Sequence, residues 1–238
     1  MVMPLPVGDQ DVRGALTPWV LIVLLVLNVL VFAAEALMPQ EALEEFVLRW
    51  GAVPAELSAG RRLETAITSM FLHGGWLHVA SNMLFLWIFA DNVEAAFGRL
   101  GFLVFYLLGG IVAVVAQVLS DPSSTIPSVG ASGAVAASLG AYVVMFPAAR
   151  VRLLLLLGIF PILTTRVAAI VFIGVWALMQ VFSGVASLGA PTAQTTGIAY
   201  WAHIGGFAFG LVVGLLFRGR ASSLTLEQPT AVRRRPPF

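Results

Sequence analysis

The sequence predicts an all-α integral membrane protein, a bundle of six transmembrane helices. Of its 238 residues, 59% are hydrophobic and 11% are charged. Soluble domains are about 45–50% apolar and about 25% charged, so the composition excludes that class. A helix of about 20 apolar residues crosses the roughly 30 Å of bilayer hydrocarbon. A search on that criterion gives six predicted spans: 17–38, about 76–97, 100–119, about 132–146, about 167–188 and about 200–217.

The first span follows a short segment, residues 1–16, that we expect to be cytoplasmic. A secretory signal peptide is the alternative for this region. The apolar part of a signal peptide is about 7–15 residues long, and a basic cluster precedes it. Here the apolar stretch is longer, and acidic residues, Asp9 and Asp11, come before it. The sequence therefore favours a retained span.

Arginine placement predicts the orientation. With a cytoplasmic N-terminus, ten arginines fall on the cytoplasmic side, whereas only Arg49, Arg61 and Arg62 fall on the other. Positive residues favour the cytoplasmic side of a membrane. We therefore expect a multi-pass protein of the cell inner (plasma) membrane with both termini in the cytoplasm. A composition with arginine and no lysine is typical of a GC-rich bacterial genome.

Three segments outside the spans have their own predictions. Residues 39–75 mix acidic, basic and apolar side chains, which indicates a structured loop in the outer membrane interface. Residues 153–163 are too short to span, so they form either a cytoplasm-facing interfacial piece or part of a seventh crossing with a turn at Thr164 and Thr165. Residues 218–238 include three consecutive arginines, Arg233–Arg235, followed by two prolines, and are expected to be a disordered cytoplasmic tail.

Composition also excludes several kinds of site. There is no cysteine, which excludes disulfides, thiol nucleophiles and cysteine-ligated metals. Three histidines are too few for a histidine-rich metal cluster. A net charge of +1 does not support nucleic-acid binding. We expect no cofactor and no metal, and we expect the lipid bilayer to be the immediate partner.

The informative residues are polar side chains at membrane depth, because each is costly unless it is satisfied or used. His78 and Asn82 lie four residues apart, on one face of the second span. They indicate either a polar contact between helices or a catalytic site. The H-E-x-x-H spacing of a zinc protease is absent.

Ser132 opens the fourth span, with Gly130 and Gly133 beside it. Small neighbours let another backbone approach closely, and free N–H groups line the start of a helix. The G-x-S-x-G elbow of soluble hydrolases is absent, because Ala134 stands where its second glycine would be. A capping serine in a tightly packed helix is the alternative interpretation.

His203 opens the sixth span, three residues before Gly206. Gly206, Gly210 and Gly214 recur every four residues, a spacing that lets two membrane helices pack closely. Spans two, four and six run in the same direction, so the four polar residues fall at a similar depth near the outer face. A serine beside a histidine is a nucleophile with its general base. A histidine, an asparagine and the serine N–H are the donors that a developing oxyanion needs.

These motifs resemble those of the rhomboid intramembrane serine proteases. The resemblance covers about 18–217 and includes Thr68 to Asn82, the Gly130-Ala-Ser132-Gly133 motif, and Ala202-His203 with the glycines that follow. It implies that Ser132 attacks the scissile carbonyl and His203 transfers the proton. It also implies that His78 and Asn82 bind the oxyanion, and that Gly206 and Gly210 pack against the fourth helix. His73 would organise the site.

The sequence departs from the family pattern at two places. Many members carry a Trp-Arg pair where this chain has Glu64 and Thr65, so loop anchoring differs. Some carry a tyrosine under the catalytic histidine where this chain has Ala136, so support for His203 must come from elsewhere, with Trp201 and Tyr200 as the candidates. Asp121 could be read as a third catalytic acid, but its turn-rich loop favours a surface role.

The resemblance implies that the partners are transmembrane protein substrates that enter past the fifth helix and are cut after a small side chain. Phe172, Trp176 and Phe182 are gate candidates, although packing explains them better. A substrate helix must unwind to expose a carbonyl, so helix-weakening residues near the cut should help. Two alternatives are a proteolytically silent rhomboid-like binding protein and a small channel. A channel would need polar residues through the whole bilayer depth, and the inner halves of these spans are nearly all apolar.

Overall fold

A computed structural model describes residues 2–188 and 198–227 as a mostly helical protein. Helices occur at all six predicted segments: α1 (Trp19–Ala36), α5 (Trp76–Phe97), α6 (Arg99–Ser120), α7 (Ser132–Met145), α8 (Ala169–Ser187) and α9 (Tyr200–Leu216). Among the described residues, α1, α6 and α8 are long and apolar enough to cross a membrane. The apolar helices α7 and α9 are shorter.

The helix α7 forms the centre of the bundle. It is rich in glycine, alanine and serine, and nearly all of its residues are buried. Because small residues allow close approach of backbones, α9 packs tightly along α7. A Cβ added to Gly206 would overlap the Gly133 carbonyl, and one added to Gly210 would overlap the Ala137 carbonyl. The predicted stripe of glycines on the sixth helix is therefore the surface that meets the fourth.

The loop between α1 and α5 is structured. It holds α2 (Gln40–Trp50), α3 (Pro54–Ser58), α4 (Thr65–Thr68) and a 3₁₀ turn (Ser69–Phe71). Side chains tie these pieces together: Arg61 pairs with Glu56 at 2.8 Å, and Arg62 donates to the Leu48 carbonyl at 2.8 Å. The loop also reaches the start of α7, since the Gly130 N–H donates to the Ser69 carbonyl at 2.8 Å.

The prediction of an all-α protein is wrong in one region. The strands β1 (Val2–Gly8), β2 (Arg150–Leu157) and β3 (Phe160–Ala168) form an antiparallel sheet in the order β1-β2-β3. Gly158, with a left-handed φ of 61°, lies in the short turn between β2 and β3. Within the sheet, prolines occur only on the two edge strands, at Pro4, Pro6 and Pro161, where a missing N–H donor is tolerated. The seventh crossing is therefore excluded, because β3 runs straight through Thr164 and Thr165.

Polar contacts hold the N-terminal segment and α1 against the end of α5. The Glu94 carboxylate accepts the backbone N–H groups of Val20 at 3.1 Å and Leu21 at 2.8 Å, which have no partner within α1. The Asn92 side chain accepts the Val12 N–H at 2.7 Å and donates to Asp9 at 3.0 Å. These bonds join the start of the chain to the bundle.

The tail is ordered further than expected. Residues Arg218–Ala221 form a short helix, α10, and Ala221 is buried. Leu226 pairs with Val12 in an antiparallel bridge, and the Glu227 N–H donates to the Asp11 carbonyl at 2.8 Å. The prediction of disorder is therefore wrong for 218–227, where apolar side chains pack on the core. Residues 228–238 of the predicted tail lie outside the described residues.

Candidate active site

Ser132 is the first residue of α7 and is half-buried. The preceding Gly130 has φ of 122°, a left-handed conformation that favours glycine. A Cβ at Gly130 would lie 2.7 Å from Nε2 of His78. Glycine at this position therefore lets the imidazole of α5 come within contact of the loop that leads into Ser132. The first N–H groups of α7, which include that of Ser132, have no partner within the helix.

A small cavity of about 20 Å³ adjoins Ser132. Its lining includes Ser69 and Ser128 as well as Gly130 and Gly133. A cavity needs about 10–15 Å³ on this measure and polar partners to hold a water molecule. The space beside Ser132 therefore has room for one.

His203 lies on the first turn of α9, and this end of α9 packs against the start of α7. It precedes Gly206 by three residues, and Gly206 contacts the carbonyl of Gly133, the neighbour of Ser132. The two side chains therefore belong to facing turns of α7 and α9. Within the described part of the chain no hydrogen bond joins Ser132 Oγ to His203. Nucleophile–base bonds are commonly longer in free enzymes than in complexes.

The support for His203 comes from α8. Nδ1 of His203 lies 2.8 Å from Oε1 of Gln180, and the Trp176 ring lies 5.9 Å from the imidazole ring at an interplanar angle of 37°. The prediction that Trp201 or Tyr200 would support the ring is wrong. Nε1 of Trp201 is buried without a hydrogen-bond partner among the described residues.

His78 and Asn82 both face the Gly130 loop, as the spacing predicts. Nδ1 of His78 accepts the Gly74 N–H at 3.3 Å, which assigns the proton of the neutral ring to Nε2. That Nε2 is the atom nearest the Gly130 Cβ position. The Asn82 amide nitrogen is 3.5 Å from the same position. It is buried and has no partner in the described chain. Two N–H donors thus face the entry to Ser132, and the Asn82 donor is buried without a partner among the described residues.

His73 is buried behind His78, and their ring centroids are 5.2 Å apart. Its backbone N–H donates to Glu35 of α1 at 3.1 Å. Burial, and secondarily the proximity of His78, lower the pKa of His73 to about 4, so the ring is neutral at physiological pH. A neutral ring packed on His78 restrains the orientation of His78.

The remaining candidates separate into packing and surface residues. Phe172 stacks on Phe85 and Phe89, with ring centroids 6.1 and 6.3 Å apart, so it belongs to the core. Phe182 is 74% exposed. Asp121 lies in an exposed turn and accepts a hydrogen bond from Ser123 at 3.0 Å, which supports the surface role.

Sequence reasoning missed Gln180 and Glu35. Both are polar residues inside predicted spans, which is the criterion that selected the other candidates. Gln180 is the only amide or charged residue in 167–188, so the same signal could have found it. Glu35 is also buried, near the end of α1, and its contact with the loop depends on tertiary structure.

Comparisons with known proteins agree on one family. The rhomboid domain family model matches residues 60–220. The chain is 29% identical to Rhomboid protease GluP of Bacillus subtilis over 190 residues, which is 74% of this chain and 35% of the relative. It is 30% identical over 153 residues to Rhomboid protein 1, mitochondrial, of Saccharomyces cerevisiae, covering 62% of this chain and 40% of the relative. It is 33% identical over 79 residues to Putative rhomboid protease YdcA of Bacillus subtilis, covering 33% of this chain and 39% of the relative.

The matched regions span two fifths or less of the length of each of these relatives. The family match itself extends over most of the present chain and includes Ser132, His203, His78, Asn82 and Gln180. The chain belongs to the rhomboid family.

Proposed function

We propose that this chain is an intramembrane serine endopeptidase in which Ser132 is the nucleophile and His203 is the general base. The main support is the convergence of three helices on the Gly130 loop. The serine opens α7, the histidine is on the facing turn of α9, and two side-chain donors from α5 point at the loop. An unsatisfied buried donor is costly unless a ligand or an intermediate uses it.

The reaction begins when Ser132 Oγ attacks the carbonyl carbon of a substrate peptide bond while its proton passes to Nε2 of His203. Nε2–H of His78, the Asn82 amide and the Ser132 N–H donate to the oxyanion. Collapse of the tetrahedral intermediate breaks the C–N bond, and His203 gives its proton to the leaving amine. An acyl ester on Ser132 remains.

Water completes the cycle. A water molecule beside Ser132 attacks the ester carbonyl and gives a proton to His203. The bond from carbon to Ser132 Oγ then breaks, and the oxygen takes that proton back. The released product carries the new carboxyl group. The small cavity next to Ser132 is the space from which we expect this water to come.

We further propose that α1, α5, α6, α7, α8 and α9 all cross the inner membrane of a bacterium, with both termini cytoplasmic. The arginine bias supports this orientation. The 14 residues of α7 extend about 21 Å, less than the roughly 30 Å of hydrocarbon, so Ser132 would lie below the outer surface.

Because the chain has no cysteine, single cysteines at the exposed Ser123 and Ser222 report the two sides of the membrane. An impermeant maleimide should label only Ser123→Cys in intact cells. Labelling of only Ser222→Cys would show that the orientation is opposite to the one proposed.

The substrates are proposed to be transmembrane segments of other proteins, cut near the outer face. The test is cleavage of a tagged transmembrane substrate in liposomes by the wild type, Ser132→Ala and His203→Ala. We expect cleavage by the wild type alone. Cleavage that survives Ser132→Ala would overturn the assignment of the nucleophile. Failure of the folded wild type on a panel of substrates with helix-weakening residues would favour a silent binding protein.

A further inference from the structure

Gln180 is a polar side chain in an otherwise apolar part of α8. Its side-chain oxygen lies 2.8 Å from Nδ1 of His203, and its nitrogen donates to the Trp176 carbonyl one turn earlier, at 3.4 Å. A glutamine in this setting would cost free energy unless both ends of its amide were used. Both ends have partners here.

The bond to the Trp176 carbonyl fixes which way the amide faces. A carbonyl oxygen only accepts, so the amide nitrogen must be the end that points along the helix. The amide oxygen is then the end that faces His203. Since that oxygen also only accepts, Nδ1 of His203 must carry the ring proton.

A neutral imidazole has one proton, so a proton on Nδ1 leaves the lone pair on Nε2. That lone pair is what a general base needs to take the proton of a serine hydroxyl. In the opposite tautomer Nε2 would carry a hydrogen and could not accept one. The Trp176 ring, with its centroid 5.9 Å from that of the imidazole, limits rotation of the ring away from this position.

We propose that Gln180 is a positioning residue that holds His203 in the tautomer and orientation required of the general base. The inference rests on the proposed function, and it extends it by assigning the third member of a Ser–His–Gln arrangement. In general terms the glutamine oxygen does what a third polar group does in other nucleophile–base pairs: it orients the base and stabilises its charged form. Among the described residues the Gln180 amide bonds only to His203 and to the Trp176 carbonyl, so its role is exerted through His203.

The test reads the tautomer directly. The chain has only three histidines, so ¹⁵N-histidine labelling in detergent gives three ring systems, which His73→Ala and His78→Ala spectra assign. In the wild type we expect His203 to show a protonated Nδ1 and an unprotonated Nε2. A wild-type His203 with its proton on Nε2 would overturn the proposal without any variant at position 180.

Gln180→Met removes the acceptor at nearly constant volume, and Met179→Leu is the matched control on the exposed neighbouring position. Gln180→Met should lose the fixed tautomer and lower kcat about 10–100-fold, the cost typical of losing a partner that orients a functional histidine. KM should change little, because the proposed role acts through His203 on the chemical step. Met179→Leu should match the wild type. A Gln180→Met protein that keeps both the tautomer and kcat would refute the role.

The spectrum does not depend on proteolysis. If the labelled wild type shows the expected tautomer and no substrate is cut, the assignment of the Gln180–His203 bond stands and the proposed function fails. If substrate is cut and the tautomer is the opposite one, the proposed function stands and the role of Gln180 fails.

Discussion

At the residue scale, Asn82 and His78 differ in how their polar atoms are satisfied. His78 has one ring nitrogen bonded to the Gly74 N–H, whereas the Asn82 amide nitrogen has no partner among the described residues. Most buried donors in folded proteins are hydrogen-bonded, so a buried orphan donor that faces a candidate site needs an explanation, and binding a reaction intermediate supplies one. The Asn82 amide, like Nε2–H of His78, is therefore a donor that the fold leaves available for the oxyanion.

Asn82→Ala should lower kcat by about 10²–10³ while leaving KM nearly unchanged, because the donor acts on the transition state. His78→Ala should have an effect of the same order. The measurement is steady-state cleavage in liposomes. Ser81→Ala, on the exposed neighbouring position of α5, is the control and should match the wild type. Equal kcat for Asn82→Ala and the control would remove Asn82 from the oxyanion site.

Asp9 contacts the ends of α5 and α7 that lie away from Ser132, and its ionisation makes the stability of the fold depend on pH. Burial, and to a smaller extent the nearby charge of Asp11, raise its pKa from 3.8 to about 7, although hydrogen bonds from Tyr142 and Asn92 act in the opposite direction. Between about pH 4 and pH 7 the carboxyl is ionised in the unfolded chain and neutral in the folded one. Its contribution to the free energy of unfolding is therefore present at low pH and is lost as pH rises to about 7.

Asp9→Asn should remove this dependence. We expect the stability of the wild type relative to Asp9→Asn to fall between pH 4.5 and pH 8, measured by thermal unfolding in detergent at both pH values. The paired comparison cancels the titrating groups that do not interact with Asp9. A difference between the two proteins that stays constant with pH would contradict the raised pKa.

At the element scale, the contact between α7 and α9 depends on glycine. A Cβ at Gly210 would overlap the Ala137 carbonyl, and backbone cannot move aside as a flexible side chain can. Gly174 on α8 has open space around its Cβ position. The two positions therefore form a matched pair for the same substitution.

Gly210→Ala should destabilise the fold by about 1–3 kcal/mol, the usual cost of overpacking. It should also lower activity, because α9 carries His203. Gly174→Ala should be neutral or stabilising by up to about 1 kcal/mol, since alanine is the better helix former. Unfolding in detergent measures both. Equal stability of the two variants would mean that α9 does not pack on α7 through Gly210.

The six helices were predictable because each lies in an apolar stretch of the sequence, although α7 and α9 are shorter than a full span. The sheet was not. Residues 153–163 form a short apolar run, and periodicity alone cannot separate a buried strand from a short helix in such a run. The strand β1 that completes the sheet is about 150 residues away in sequence, so the pairing of Leu5 with Leu154 has no local signal.

At the scale of the whole molecule, the candidate site could be predicted from two properties taken together: the direction of each predicted span and the position of its polar residues along that span. Three predicted spans with the same predicted direction carry their polar residues near the same end, so the sequence grouped Ser132, His203, His78 and Asn82 into one predicted site. Gln180 belongs to a predicted span of the opposite direction. A polar residue halfway along that span has no assigned partner until the helices are packed. The proton arrangement of His203 is thus a property of the fold.

The central claim is that Ser132 is a nucleophile activated by His203, and covalent trapping tests it most directly. A fluorophosphonate forms a stable bond with an activated serine, and mass spectrometry of the protein in detergent identifies the modified residue. We expect one adduct, on Ser132, in the wild type, and its loss in a folded His203→Ala variant. An adduct on another serine, or full labelling of Ser132 without His203, would contradict the account.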